Sequence, residues 1–179
     1  MTESHENKPH VLLISGAPGS GKTTVIRRAA DGLRGNGLRG FYTEEIREKG
    51  ERCGFRLVSF DGTVDIIAHM DFPKNHRVGK YGIDVRAIDN AAALLQPHSK
   101  ACVYFVDEIG KMECLSEHFV AAMRVLISCG IPTVATVGAR GGGFMAEVKR
   151  RPDCELWQVT HADRHKLPAR ILAWLDERI

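Results

Sequence analysis

Positions 16–23 read GAPGSGKT, with glycine at the first and sixth places and Lys-Thr at the last two. This is G-x-x-x-x-G-K-[ST] with every fixed position met. Glycines let a backbone curl until successive N–H groups converge, and a helix starting there turns its positive end to the same point. The anion such a cradle suits is a polyphosphate. Gly16, Ala17, Pro18, Gly19, Ser20, Gly21, Lys22, Thr23 and Thr24 are therefore expected to wrap the phosphates of a nucleotide. Lys22 is expected to reach the β- and γ-phosphates, and Thr23 to offer its hydroxyl to Mg²⁺.

A second stretch, VYFVDEIGKME (103–113), places Asp107 and Glu108 side by side after an apolar run. Like charges there repel, and a buried carboxylate is costly unless something binds it. A cation removes the difficulty. A phosphate loop needs an acid at the end of another buried strand to orient the metal and its water, and Asp107 fits that place. Glu108 is then free to orient an attacking water or take its proton. Glu113 suits either a further water or metal ligand or an ion-pair partner. Phosphoryl transfer also leaves negative charge that an arginine often covers. Arg140, in the glycine-rich stretch ARGGGF with Arg150 and Arg151 beyond it, is the candidate. A solvated basic loop is the simpler reading of each of the three. Arg164, in HADR (161–164), suits stacking on a base or plain surface charge.

These residues need elements to hold them. HVLLISG (10–16) reads as a buried strand and KTTVIRRAADGLRG (22–35) as an amphipathic helix stopped by Gly35 and Gly37. FYTEEIRE, FRLVSF and TVDIIAHM are strand-like, with Gly50 and then Asp61-Gly62 between them, so a small antiparallel meander is expected over about 38–85. DFPKNHRVGKYG (71–82) reads as a polar loop and 84–96 as a helix stopped by Pro97. ACVYFV (101–106), IPTVATVG (131–138) and ELWQVT (155–160) read as further strands. Helices are expected over 116–130, capped by Ser116, over a short piece near 144–150, and over 168–179 behind Pro168. Solid apolar strands alternating with helices indicate an α/β fold with a mostly parallel sheet covered on both faces, in a single domain spanning 1–179.

Composition narrows the function classes. The 179 residues carry 25 basic and 22 acidic side chains, a net charge of +3, too balanced for nucleic acid or an anionic membrane to be the main partner. No apolar run is long enough to span a bilayer, and MTESHENKPH reads as a polar leader, not a signal peptide. Five cysteines without CxxC spacing fit reduced thiols in a cytoplasmic compartment better than disulfides or a zinc site. The eight histidines are scattered and read as surface or core polar residues. A monomer is expected, because no apolar face is left over.

The sequence resembles the THEP1-type nucleoside-triphosphatases, the family that includes the human cancer-related NTPase. The likeness runs from about residue 10 to the end. It is carried by GAPGSGKTT (16–24), GFYTEEIRE (40–48) with GF at 54–55, RVGKYGID (77–84), VDEIGKME (106–113) and VTHADRHKLP (159–168). The resemblance implies a RecA-like P-loop NTPase core. It also implies slow, Mg²⁺-dependent hydrolysis of ATP, GTP and other nucleoside triphosphates with little base preference. It assigns phosphate to Gly16–Thr23, metal to Asp107 and the base to Glu108, and makes Thr43, Glu44 and Glu45 secondary candidates near the phosphates. The chain departs from the family at Asp163, Arg164 and His165, where an Asn-Arg-Asp-like run is usual.

Two rival readings use the same core. A small-molecule kinase needs an acceptor pocket, which the 38–85 insertion would supply. A nucleotide-dependent switch is suggested by DEIG (107–110), which fits D-x-x-G, and by Thr43 some twenty residues after Lys22, but no N-K-x-D is present to select guanine.

Overall fold

Val11–Gly16 (β1) is buried along its whole length, which an apolar run of six residues achieves only with strands on both sides. The computed structural model describes residues 8–33 and 37–179. Most of the polar leader and Gly35 lie outside the described residues. After β1 come α1 (Lys22–Gly32), β2 (Leu38–Glu48), β3 (Glu51–Ser59), β4 (Val64–His69), β5 (Arg77–Val78), β6 (Tyr81–Ile83) and α2 (Val85–Ala92). The chain continues through β7 (Val103–Ile109), α3 (Glu117–Ser128), β8 (Thr133–Gly138), α4 (Phe144–Val148), β9 (Cys154–Gln158) and α5 (Leu167–Asp176).

One nine-stranded sheet results, in the order β5-β6-β4-β3-β2-β7-β8-β1-β9. The five strands from β2 to β9 in that order pair in parallel, and those from β2 outward to β5 pair antiparallel. The meander expected over 38–85 is thus an extension of the main sheet, not a piece set beside it. β2 serves both halves: Leu38–Phe41 run parallel to Val103–Val106, while Phe41–Glu48 pair antiparallel with β3. The segment 71–82, read as loop, holds the two short strands β5 and β6, which at two and three residues are too short to show any periodicity.

Two apolar layers cover the core. On one face α1 and α5 pack Val25, Ile26, Ala29, Ile171 and Leu175 against Leu12, Ile14 and Phe105. On the other, α2, α3 and α4 pack around Tyr104, Val106 and Ala135, with the Phe41 and Phe119 rings 6.3 Å apart. Local caps follow the sequence signals. Ser116 accepts from the Phe119 N–H at 2.9 Å, and Asp84 accepts from the N–H groups of Arg86 and Ala87 at the start of α2. The helix expected over 84–96 is α-helical only to Ala92 and tightens into a 3₁₀ turn over Ala93–Leu95.

The parallel core decides where chemistry can happen. Strands β1, β7, β8 and β9 all point the same way, so the loops after their carboxyl ends open on one edge of the sheet. Those loops carry GAPGSGKT, the end of VDEIGKME, ARGGG and HADR.

Candidate active site

The strand expected to stop at Val106 runs on to Ile109. Between Val106 and Ile109 the register on β8 shifts, with Val106 opposite Ala135 and Ile109 opposite Val137. The extra residue on β7 is a bulge, a device that re-aims side chains. Both Asp107 and Glu108 consequently face the phosphate loop, where strict alternation would send them to opposite faces.

Asp107 is 1 % exposed and gathers three hydroxyls. Its Oδ2 accepts from Thr23 Oγ1 at 2.6 Å and from Thr43 Oγ1 at 3.3 Å, with the Thr43 N–H at 3.4 Å. Its Oδ1 accepts from Thr136 Oγ1 at 2.5 Å. The carboxylate is therefore fixed by the phosphate loop, by β2 and by β8, the strand that lies between β1 and β7. Thr136 was not singled out from the sequence. Its signal is weak, one of two buried threonines in the strand TVATVG, and its partner is 29 residues away in the chain.

Around the loop, Gly21 sits just before α1 with φ of 99°, a left-handed conformation that a side chain would resist. Lys22 Nζ donates to Gly16 O at 3.1 Å and lies 3.6 Å from Glu108 Oε2. The Ser20 hydroxyl, in a residue 3 % exposed, has no hydrogen-bond partner among the described residues. Ala17, Pro18 and Gly19 form the exposed lip, and Thr24 is exposed one step into the helix. Arg164 is exposed and lies against Gly21: a Cβ added there would come 3.2 Å from Arg164 Cδ. The structure thus brings Arg164 to the loop's edge, beside the site and not on a remote surface.

A half-buried carboxyl, Glu108, and a buried one, Glu113, share the space behind the loop. Burial pushes the Glu108 carboxyl up, Lys22 draws it back down, and Asp107 adds to the rise. Glu113, 4 % exposed, has no ion-pair partner among the described residues, so the ion-pair reading of it does not hold. A Cβ at Gly110 would lie 2.7 Å from Glu113 Oε2 and 2.8 Å from Glu108 Oε1, so both carboxyls use room that Gly110 leaves open. Burial first, then the Glu108 charge, pushes Glu113 up to about 8.

That value has a stability consequence. The unfolded chain releases the Glu113 proton near 4.5 and the folded chain near 8. Between them the folded state binds more protons, so this group's contribution is complete below 4.5 and is lost as pH rises toward 8. Glu113→Gln keeps the neutral shape and removes the titration. Its melting temperature, measured without metal, is expected to fall less than that of wild type between those pH values. Parallel curves for the two proteins would refute the assignment.

Other sequence candidates stand apart. Glu44 pairs with Arg56 at 2.7 Å and Arg27 at 3.1 Å, and Glu45 with Arg47 and Arg52 at 2.5 and 2.8 Å. Glu45 is held in ion pairs within the extension, Glu44 ties the extension to Arg27 on α1, and Thr43 beside Glu44 reaches Asp107. Arg140 is exposed on the loop after β8 and its side chain has no hydrogen bond or ion pair among the described residues. Arg151 is tied to Asp153 at 2.5 Å, away from that loop's tip.

The donor chemistry fits Mg²⁺. Thr23 Oγ1 and Asp107 Oδ2 are hard oxygen donors at adjoining positions, the kind of partial set that Mg²⁺ completes with water and phosphate oxygens.

Comparison with known proteins agrees with this geometry. A family model described as NTPase matches residues 11–172. Nucleoside-triphosphatase THEP1 of Thermotoga sp. (strain RQ2) is 35% identical over 166 residues, covering 92% of this chain and 94% of its own. The cancer-related nucleoside-triphosphatase of Homo sapiens is 35% identical over 179 residues, covering 89% and 93%. Among solved structures, THEP1 from the hyperthermophile Aquifex aeolicus superimposes with a TM-score of 0.85 at 31% identity, covering 93% of this chain and 99% of that one. No helix among the described residues is long and apolar enough to cross a membrane.

Proposed function

The chain belongs to the nucleoside-triphosphatase family that includes THEP1 and the human cancer-related enzyme, and we propose that it hydrolyses nucleoside triphosphates to diphosphate and phosphate with Mg²⁺ held by Thr23 and Asp107. In this reading the N–H groups of Gly16–Thr23 bind the phosphate chain, and Lys22 carries positive charge to its far end. Thr43 and Thr136 hold the Asp107 carboxylate in place beside Thr23. Held by Thr23 and Asp107, Mg²⁺ would supply positive charge against the charge of the phosphates.

Glu108 acts on water. Its carboxylate takes a proton as the water oxygen bonds to the terminal phosphorus and the bridging P–O bond breaks, releasing diphosphate and phosphate. The raised affinity of Glu108 for protons makes it a stronger base than an ordinary carboxylate, and Lys22 at 3.6 Å keeps it ionised and placed. Arg164 is proposed to lie along the nucleotide where it leaves the loop. The residues proposed to bind the nucleotide are mostly ones suited to phosphate, and this supports broad base preference.

The single observation that carries the reading is the pairing at one edge of the sheet: Thr23 on Asp107 at 2.6 Å, with Glu108 opposite Lys22. The test is phosphate release from ATP, GTP, CTP and UTP with and without Mg²⁺. Slow release from all four, abolished by chelation, is expected. Tight nucleotide binding without release above background would sink it, and transfer of phosphate from ATP to an added nucleoside or sugar would replace it with the kinase reading.

A further inference from the structure

Far from the phosphate loop, the antiparallel extension brings three metal-ligand side chains together. Glu48 ends β2, Cys53 is the third residue of β3, and His69 ends β4. A Glu48 carboxylate oxygen, Cys53 Sγ and a His69 ring nitrogen all lie within 4.8 Å of one another. Glu48 is five residues along β2 from Thr43, about 16 Å at the rise of a strand, so this cluster is not part of the nucleotide site.

The backbone is arranged for this meeting. Ile46 pairs with Gly54 and Arg47 with Arg52, so Cys53 is the unpaired residue of a β-bulge. Bulges re-aim a side chain, and here the thiol turns to donate to Ile46 O at 3.3 Å. The cysteine is buried, His69 is half-buried and Glu48 is exposed, so the cluster opens to solvent on one side. The His69 ring lies over β3 because residue 54 is glycine: a Cβ there would come 2.8 Å from His69 Cδ2. Asp71 lies beside the ring, its backbone N 3.3 Å and a carboxylate oxygen 3.5 Å from His69 Nδ1, and the Phe72 ring packs at 5.7 Å. With Nε2 on a metal the ring proton sits on Nδ1, and the Asp71 carboxylate would accept it in place of the Asp71 N–H contact, the outer partner that commonly orients metal-bound histidines.

We propose that Glu48, Cys53 and His69 form a three-ligand site for Zn²⁺, with water as the fourth ligand. Thiolate sulfur, imidazole nitrogen and carboxylate oxygen are the donors Zn²⁺ takes in tetrahedral sites, whereas Mg²⁺ disfavours sulfur. On binding, the Cys53 S–H bond gives up its proton to solvent as the S–Zn bond forms, and the hydrogen bond to Ile46 O is lost. The ion then ties three strand ends together, so it stabilises the extension by mass action.

The test uses Co²⁺ as a spectroscopic stand-in on the full chain after chelator treatment. Wild type is expected to bind one equivalent with a thiolate-to-cobalt charge-transfer band, displaced by Zn²⁺ and untouched by Mg²⁺. Cys53→Ser and His69→Gln each abolish the band, Glu48→Gln weakens binding at least roughly tenfold, and Cys102→Ser with Cys129→Ser leaves it. Because Cys53 is buried, melting is followed as well: Zn²⁺ raises the midpoint of wild type but not of His69→Gln. Absence of the band in wild type, its survival in Cys53→Ser, unchanged affinity in Glu48→Gln, or an equal midpoint shift in His69→Gln would each overturn the site. None of these readouts depends on nucleotide turnover.

Discussion

Glu108→Gln is expected to bind nucleoside triphosphate as wild type does while releasing phosphate roughly 10²- to 10⁴-fold more slowly, the range for loss of a general base. The amide keeps the size of the side chain and stays beside Lys22, so binding at the phosphate loop is left intact. What it cannot do is accept the proton of the attacking water. The pH profile supplies a second readout. Turnover by wild type needs ionised Glu108, and burial raises that carboxyl above its ordinary value. Activity should therefore fall on acidification at a higher pH than a solvent-exposed glutamate would give, and the limb should be missing from the residual activity of Glu108→Gln. A variant with turnover within a few-fold of wild type would remove Glu108 from the chemistry.

Asp107→Asn is expected to uncouple nucleotide from metal. In wild type, Mg²⁺ should tighten triphosphate binding, because Thr23 and the Asp107 carboxylate meet at 2.6 Å on the phosphate side. Asparagine preserves the volume, and the hydroxyls of Thr23, Thr43 and Thr136 can rotate to suit an amide, so the fold is expected to persist. The negative charge facing the metal is gone. Turnover should fall on the order of a hundredfold or more, consistent with the several kcal/mol a metal contributes to such reactions. In calorimetric titrations, Mg²⁺ should no longer strengthen triphosphate binding. If Mg²⁺ strengthens binding equally in both proteins, Asp107 does not hold the metal.

The glycine-rich loop and the acid pair were both legible in the chain, for different reasons. The phosphate loop is eight consecutive residues between a solid apolar strand and a helix, so its shape follows from local backbone preferences and glycine placement alone. Asp107 and Glu108 were readable because charge at the end of an apolar strand is costly and demands a reason. Ser116 as a cap was equally local. The ends of β7 and of the second helix were misjudged by a few residues, since those boundaries depend on what the neighbouring strand or turn offers. The short strands β5 and β6 are built on tertiary pairing, β6 on the edge of β4 and β5 on β6.

Local sequence, then, determined the alternation of strands and helices, the glycine-rich loop at 16–23 and the acids that face it. Tertiary structure alone decided that β8 lies between β1 and β7, which delivers Thr136 to Asp107, and that Arg164 lies against Gly21. It also decided the meeting of Glu48, Cys53 and His69, which come from three strands and share no spacing a reader of the chain would notice. The physical reason is the same in each case. Backbone preference acts over a few residues and is written in their order, whereas strand order and register are fixed by burying the whole sheet at once, and one bulge is enough to turn a side chain toward a partner far away in sequence.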